Sequence, residues 1–363
     1  GRRGARGSVT PPTPATPAPA PAPDPLLRFR PEFPILETST YLVSNSLGAM
    51  PRAAREGLAR YADDWATHGV RAWARGWWEL PVKVGDEIAP LLGAGAGEVA
   101  MVPTVTMAQA QVIAALDYTA PRDGIVMTAL DFPSVRYVYE GLARRLGARI
   151  RVVPGSPDGL SVDLEQLLAA IDERTRLVAI SHVLFRSAYV MDVAAVCRRA
   201  REVGALVSLD AYPSVGVLPV DVKALDVDFL AGGVLKWLCG GPGGCFLYVN
   251  PATAGALVPA LTWWQAPAHP FDFAGESFGG GPNQHWKTTV DGLGRLGWAG
   301  RLLPRAVAGA AADLRNHGSA ARRSHNRHSR ALDVRARFLR AAAAITVAAT
   351  ATAAAAAEKI FHM

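Results

Sequence analysis

The chain has 363 residues, half of them apolar, which is enough to bury a sizeable core in two domains or in one large domain with an appendage. No apolar run approaches the length of a membrane span. The net charge of +7 belongs to the tails, +4 over residues 1–30 and +8 over 301–363, so residues 31–300 sum to −5 and nucleic-acid binding would have to rest on the tails alone.

Residues 1–30 are rich in Pro and Ala with Arg near the start, and predict a disordered extension with no secretory h-region. The absent initiator Met points to a processed or incomplete chain. Thr40 to Gly48 predicts a short strand running into a turn. Helical periodicity follows from Pro51, with Ala54, Leu58, Tyr61 and Trp65 on one face. Trp73, Trp77 and Trp78 cluster next, as a core or subunit contact or as the wall of a site. Val99 to Thr106 leads into a helix expected over Met107–Leu116. Thr104 and Thr106 fall at its start, where they either cap the helix or help its free N–H groups hold a phosphate.

Gly124–Ala129 reads as a strand that exits through Asp131-Phe132-Pro133-Ser134. Phe132 there either packs in the core or stacks on a flat ligand. Arg149–Val153 and Leu177–Ile180 are further strands. Ser161–Ile171 and Asp192–Val203 are helices, the second stopped by Gly204. This alternation predicts an α/β fold with a parallel sheet covered on both faces. His182 is a ligand, a base or a satisfied hydrogen-bonding histidine. Cys197, Cys239 and Cys245 form no metal-like pattern, and their odd number suits reduced thiols and a cytoplasmic setting.

The run Ala205 to Asp210 is too short for a helix and predicts a buried strand closed by a carboxylate. In open α/β sheets, ligands bind beyond such strand ends. Lys236 follows about two dozen residues later between Gly, Leu and Trp, where a lysine either snorkels outward or carries chemistry. An acid and a lysine so placed suit pyridoxal 5'-phosphate, the lysine joining its aldehyde and the acid holding its pyridine nitrogen protonated. Farther on, Leu261-Thr262-Trp263-Trp264-Gln265 is a second aromatic group and Gly279 to Asn283 a flexible loop. Beyond Arg301 the chain turns to Arg, Ala and His. His317, His325 and His328 there have no supporting metal-site pattern, so no metal is expected.

Six ordered segments resemble the class V aminotransferase-type enzymes, in their kynureninase-like branch: Tyr41-Leu42 with Asn45-Ser46-Leu47-Gly48, Gly76 to Pro81, Asp131 to Ser134, Ser181 to Ser187, Asp210-Ala211-Tyr212, and Lys236 to Gly243. The resemblance runs from about residue 35 to 285. It implies a fold-type-I architecture: a mostly parallel, seven-stranded-type sheet flanked by helices, with a cofactor-binding large domain over 31–295. It also implies Lys236 as the Schiff-base lysine and Asp210 as partner of the pyridine N–H. Thr104, Val105 and Thr106 would hold the phosphate, Phe132 would stack on the ring, and Ser181 would lie near the ring oxygen or phosphate. Ser134 and Tyr212 fall in the same cofactor-binding motifs. Trp263 would reach across a homodimer to the neighbour's cofactor, and the substrate would be a small amino acid.

Three positions depart from true kynureninases. Val135 stands where the family has Asp, Pro213 where it has His, and Leu235 where it has the Tyr before the lysine. The His and the mobile-loop Cys expected of cysteine desulfurases are also lacking. After about residue 290 the resemblance ends. The small domain whose arginine holds the substrate carboxylate in the family is expected to be missing or replaced over 296–363, as a frameshift or a truncated gene model would produce.

Overall fold

The computed structural model describes residues 25–257, 259 and 260. At its centre lies a seven-stranded sheet made of β1 (Val99–Val102), β2 (Gly124–Thr128), β3 (Arg149–Val153), β4 (Thr175–Ser181), β5 (Leu206–Asp210), β6 (Phe229–Gly233) and β7 (Cys245–Val249). The order across the sheet is β1-β7-β6-β5-β4-β2-β3. The pairs from β3 to β6 are parallel, and β7 alone runs against its neighbours β6 and β1.

The helices are α1 (Arg52–His68), α2 (Leu80–Ile88), α3 (Val105–Ala114), α4 (Pro133–Leu146), α5 (Leu164–Ala170), α6 (Val193–Glu202), α7 (Val222–Leu225) and α8 (Pro251–Ala254). The inner strands read as apolar runs because both sheet faces are covered, whereas the edge strand β3 carries exposed Arg149 and Arg151. In β4, Leu177 and Ala179 join a core with α3 and α4, while Val178 and Ile180 join the opposite core with α2 and α6. All of the parallel strands end on one edge of the sheet. β7 starts there, with Cys245 opposite Val102 of β1 and Gly233 of β6.

Local chemistry sets the helix ends. Asp192 caps α6 by accepting from Ala195 N, and Gly204 after it takes φ 70°. Pro133 opens α4, where its missing N–H costs nothing. α5 begins at Leu164 under an Asp163 cap, so it is shorter than the sequence suggests.

Four expectations are corrected. Thr40–Gly48 forms no strand. It runs as a turn whose Gly48 N–H donates to Leu235 O at 2.8 Å, because no neighbouring strand offers it a ladder. Trp65 does not face the core and is 57% exposed, since the buried stripe of α1 passes through Ala54, Gly57 and Asp64. Helix α3 starts at Val105, two residues earlier than expected, because Thr104 is its cap. Helix α4 after Phe132 was not anticipated. The 296–363 segment and its three histidines lie outside the described residues, as do Trp263 and the Gly279–Asn283 loop.

Candidate active site

The carboxyl ends of β4, β5 and β6 bring the principal predicted residues together. Asp210 closes β5 and is buried, and its Oδ1 accepts the Tyr212 N–H at 2.9 Å. Lys236 lies in the turn after β6, half-buried, with Nζ 5.3 Å from the centroid of the Tyr212 ring. The Lys236 ammonium is close enough to Asp210 for each to act on the other's proton affinity. Burial pushes the Asp210 carboxyl up to about 6, its bond from Tyr212 opposes this, the Asp131 charge adds to it, and Lys236 pulls it back. Burial lowers Lys236, and Asp210 opposes the fall.

The turn that carries Lys236 is locked by close backbone approaches. A Cβ on Gly48 would lie 2.1 Å from Lys236 O, so only glycine lets the N-terminal segment cross there. Trp237 Nε1–H donates to Pro213 O at 2.8 Å, tying the lysine turn to the turn after β5. The Tyr212 ring edge lies against the backbone of Gly233, where a Cβ would meet Cε2 at 2.0 Å. Burial raises its phenol first, and the neighbouring Cys245 and Asp210 add to the rise.

Cys245 links this cluster to the start of α3. The Val105 N–H lies near the Cys245 thiol and partly opposes its rise by burial, and the Thr104 hydroxyl accepts from Met107 N at 3.0 Å. The Thr106 N–H has no partner among the described residues, and the Thr106 side chain is exposed. An anion at this helix end would meet that amide and the positive end of the helix dipole. The expected trio thus divides: Thr104 works as the cap, Val105 lies near the thiol, and Thr106 is available.

Phe132 stands at the N-cap of α4, 42% exposed, with Phe185 edge-on at 5.1 Å. It is more exposed than a core phenylalanine would be. Ser134 lies beside it in the first turn of α4, half-buried. Ser181 is buried at the end of β4 and donates its N–H to Asp131 at 2.8 Å.

Asp131 was not singled out as a site residue. Its Oδ2 accepts from Thr128 N at 2.8 Å and its Oδ1 from Ser181 N, so one buried carboxylate ties the ends of β2 and β4. Burial raises its pKa first, and those bonds oppose the rise. The signal available in the sequence was an acid at a strand exit just before a helix-opening proline. His182 is a hydrogen-bonded core residue. The Ser214 hydroxyl donates to Ala211 O and so accepts from Nδ1–H at 3.0 Å, and burial keeps the ring neutral by lowering its pKa.

This geometry fits pyridoxal phosphate: a buried acid at the sheet edge, an amine beside it, an exposed aromatic ring and an unpaired helix-start amide. A small cavity lined by Asp131, Phe185, Arg186 and Ser187 adjoins Phe132.

The sequence pattern of Aminotransferase class-V matches residues 52–262. The uncharacterized aminotransferase YcbU of Bacillus subtilis (strain 168) is 35% identical over 250 residues, covering 68% of this chain and 65% of that protein. A kynureninase of Burkholderia pseudomallei (strain 1106a) is 33% identical over 258 residues, covering 68% of this chain and 60% of that protein. The chain thus spans less than two thirds of the length of these relatives. Among solved structures, a C-DES mutant with glycine covalently linked to its PLP cofactor superposes with a TM-score of 0.61 at 22% identity, covering 76% of this chain and 73% of that one. Apo cysteine desulfurase from Thermococcus onnurineus NA1 gives 0.59 at 23% identity, covering 74% and 69%. At these identities the structural likeness carries the fold.

Proposed function

This chain belongs to the aminotransferase class-V family, and we propose that it is a pyridoxal-phosphate enzyme acting on a small amino acid by kynureninase-like Cβ–Cγ hydrolysis or related chemistry at a Cα carbanion. The observation that carries the reading is the shared space of Lys236, Asp210 and Tyr212 at one sheet edge, beside the start of α3.

Bound pyridoxal phosphate supplies an electron-accepting ring that stabilises charge developing at the substrate's Cα. Asp210, ionised, would hold a proton at the pyridine nitrogen. Lys236 Nζ, its proton affinity reduced by burial, would take the Cα proton. Phe132 would lie against the ring. The Thr106 N–H and hydroxyl, with Thr104 and Val105 fixing the helix end, would hold the phosphate. Ser134 and Ser181 complete the polar rim, Ser181 being held by Asp131.

A homodimer is proposed with this function. Leu42, Val43, Leu47 and Met50, exposed beside the lysine turn, form an apolar surface that supports it.

The test is the visible spectrum of the purified chain before and after borohydride, with peptide mapping of the reduced lysine. Absorbance above 400 nm and a label on Lys236, both lost in Lys236→Ala, are expected. A colourless chain after incubation with the cofactor, or a label on another lysine, overturns the reading. A second reading, transamination, is favoured by the relative named as an aminotransferase. Amino transfer to an added 2-oxo acid, without Cβ–Cγ cleavage, would select it.

A further inference from the structure

We propose that Tyr212 is the positioning residue for the Lys236 amine: the face of its ring is the seat on which the protonated amine rests whenever Lys236 is not covalently engaged. The proposal rests on the function given above and assigns a part to a ring that would otherwise only line the site.

Packing and an anchored backbone place that ring. Its Cε2 edge lies against the bare Cα of Gly233, which leaves no room for a side chain on that side. Its own N–H is anchored on Asp210 Oδ1 at 2.9 Å. The Lys236 Nζ sits over the ring, 5.3 Å from the centroid, within the range at which an ammonium is held by an aromatic face. The ring is thus packed along one edge and carries the amine over its face.

Among the described residues, the charged and titratable groups around it are few. Asp210 from β5 faces the amine, Asp131 from the β2–α4 connection acts on Asp210, and Cys245 from β7 lies near the phenol. The aromatic face is the attraction that does not depend on Asp210, which is otherwise committed to a ring nitrogen when the cofactor is present. An amine that has just accepted a proton is stabilised on such a face, and a neutral one is not. The seat therefore favours the protonated product of proton removal and holds it ready for return.

The test follows the proton affinity of Lys236 in the full-length chain freed of cofactor. Reactivity of Lys236 toward an amine-labelling reagent is read by peptide mass spectrometry as a function of pH. Tyr212→Phe keeps the ring and is expected to leave the midpoint where it is. Tyr212→Leu removes the face and is expected to lower the midpoint by roughly half a unit to one and a half units. Pentafluorophenylalanine at 212 keeps the ring's outline but reverses its charge distribution, and is expected to lower the midpoint as Leu does. Equal midpoints for Phe and pentafluorophenylalanine overturn the proposal, even if the Leu variant fails to fold. So does a Phe variant that shifts as far as Leu, which would assign the effect to the phenol. Borohydride labelling of the unmodified chain reports separately on the cofactor reading, so the two failures are distinguishable.

Discussion

Asp210→Asn should make the cofactor-free chain more stable at neutral pH and remove its stabilisation by the cofactor. In the fold the Asp210 carboxyl is raised from the usual 3.8 to about 6, chiefly by burial. A carboxyl raised by folding favours its protonated form. The stabilisation of that form is complete below about 3.8 and is lost as pH rises through about 6. At 1.36 kcal/mol per pH unit, the ionised side chain at pH 7 costs ~3 kcal/mol relative to a neutral one in the same place. Asn is neutral, has nearly the same shape, and keeps an oxygen for the Tyr212 N–H. Thermal melts between pH 4 and 8 are the assay. The parent chain should lose stability between about pH 4 and 6 relative to the Asn variant, with a gap of a few degrees at pH 7. Added pyridoxal phosphate should reverse the ranking, because an ionised Asp210 then has a cation to pair with. Parallel stability curves from pH 4 to 7 would refute the burial argument, and equal cofactor stabilisation of both chains would refute the pairing.

Two substitutions test the packing around the site. Gly233→Ala places a methyl 2.0 Å from the Tyr212 ring and should cost ~1–3 kcal/mol in urea unfolding as that ring is displaced; an unchanged midpoint contradicts the contact. Trp77→Phe removes the indole N–H that Asp64 Oδ2 accepts at 2.9 Å inside the fold. It should cost ~1–3 kcal/mol in the same assay, with a loss within experimental scatter as the contrary result.

Much of this architecture was legible because burial on both faces writes strands as short apolar runs. β2, β3, β4 and the strand before Asp210 stand within a residue or two of where the sequence puts them, apart from the earlier start of β4 at Thr175. Helix α4 was missed although Val135, Tyr139 and Ala143 repeat at helical spacing, because Phe132-Pro133 reads as a strand exit. The run Tyr41-Leu42-Val43 was misread for the opposite reason: its residues suit a strand, but strand formation needs a partner. Asp210 and Lys236 were recognisable from their positions relative to strand ends. Asp131 was not, because its meaning lies in an amide fifty residues away, and no local pattern reports such a bond. The approach of Gly233 to Tyr212 is hidden in the same way, since a glycine in an apolar strand has many explanations.

The three positions that depart from kynureninases show what the site has kept and what it has given up. Val135 is buried in the core beside α3, so the polar group expected there is replaced by packing. Pro213 and Leu235 contribute backbone oxygens instead of side chains, accepting from Trp237 Nε1–H and Gly48 N–H at 2.8 Å each. Those two bonds bracket Lys236 in space, and neither depends on the side chain at 213 or 235. Placement of the lysine therefore rests on backbone bonds that a range of side chains at 213 and 235 would allow. Hydrolysis of a carbon–carbon bond needs a group to deliver or accept a proton beyond the lysine itself. His182 is engaged by Ser214 and kept neutral by burial, so a proton for such a step would have to come from another group.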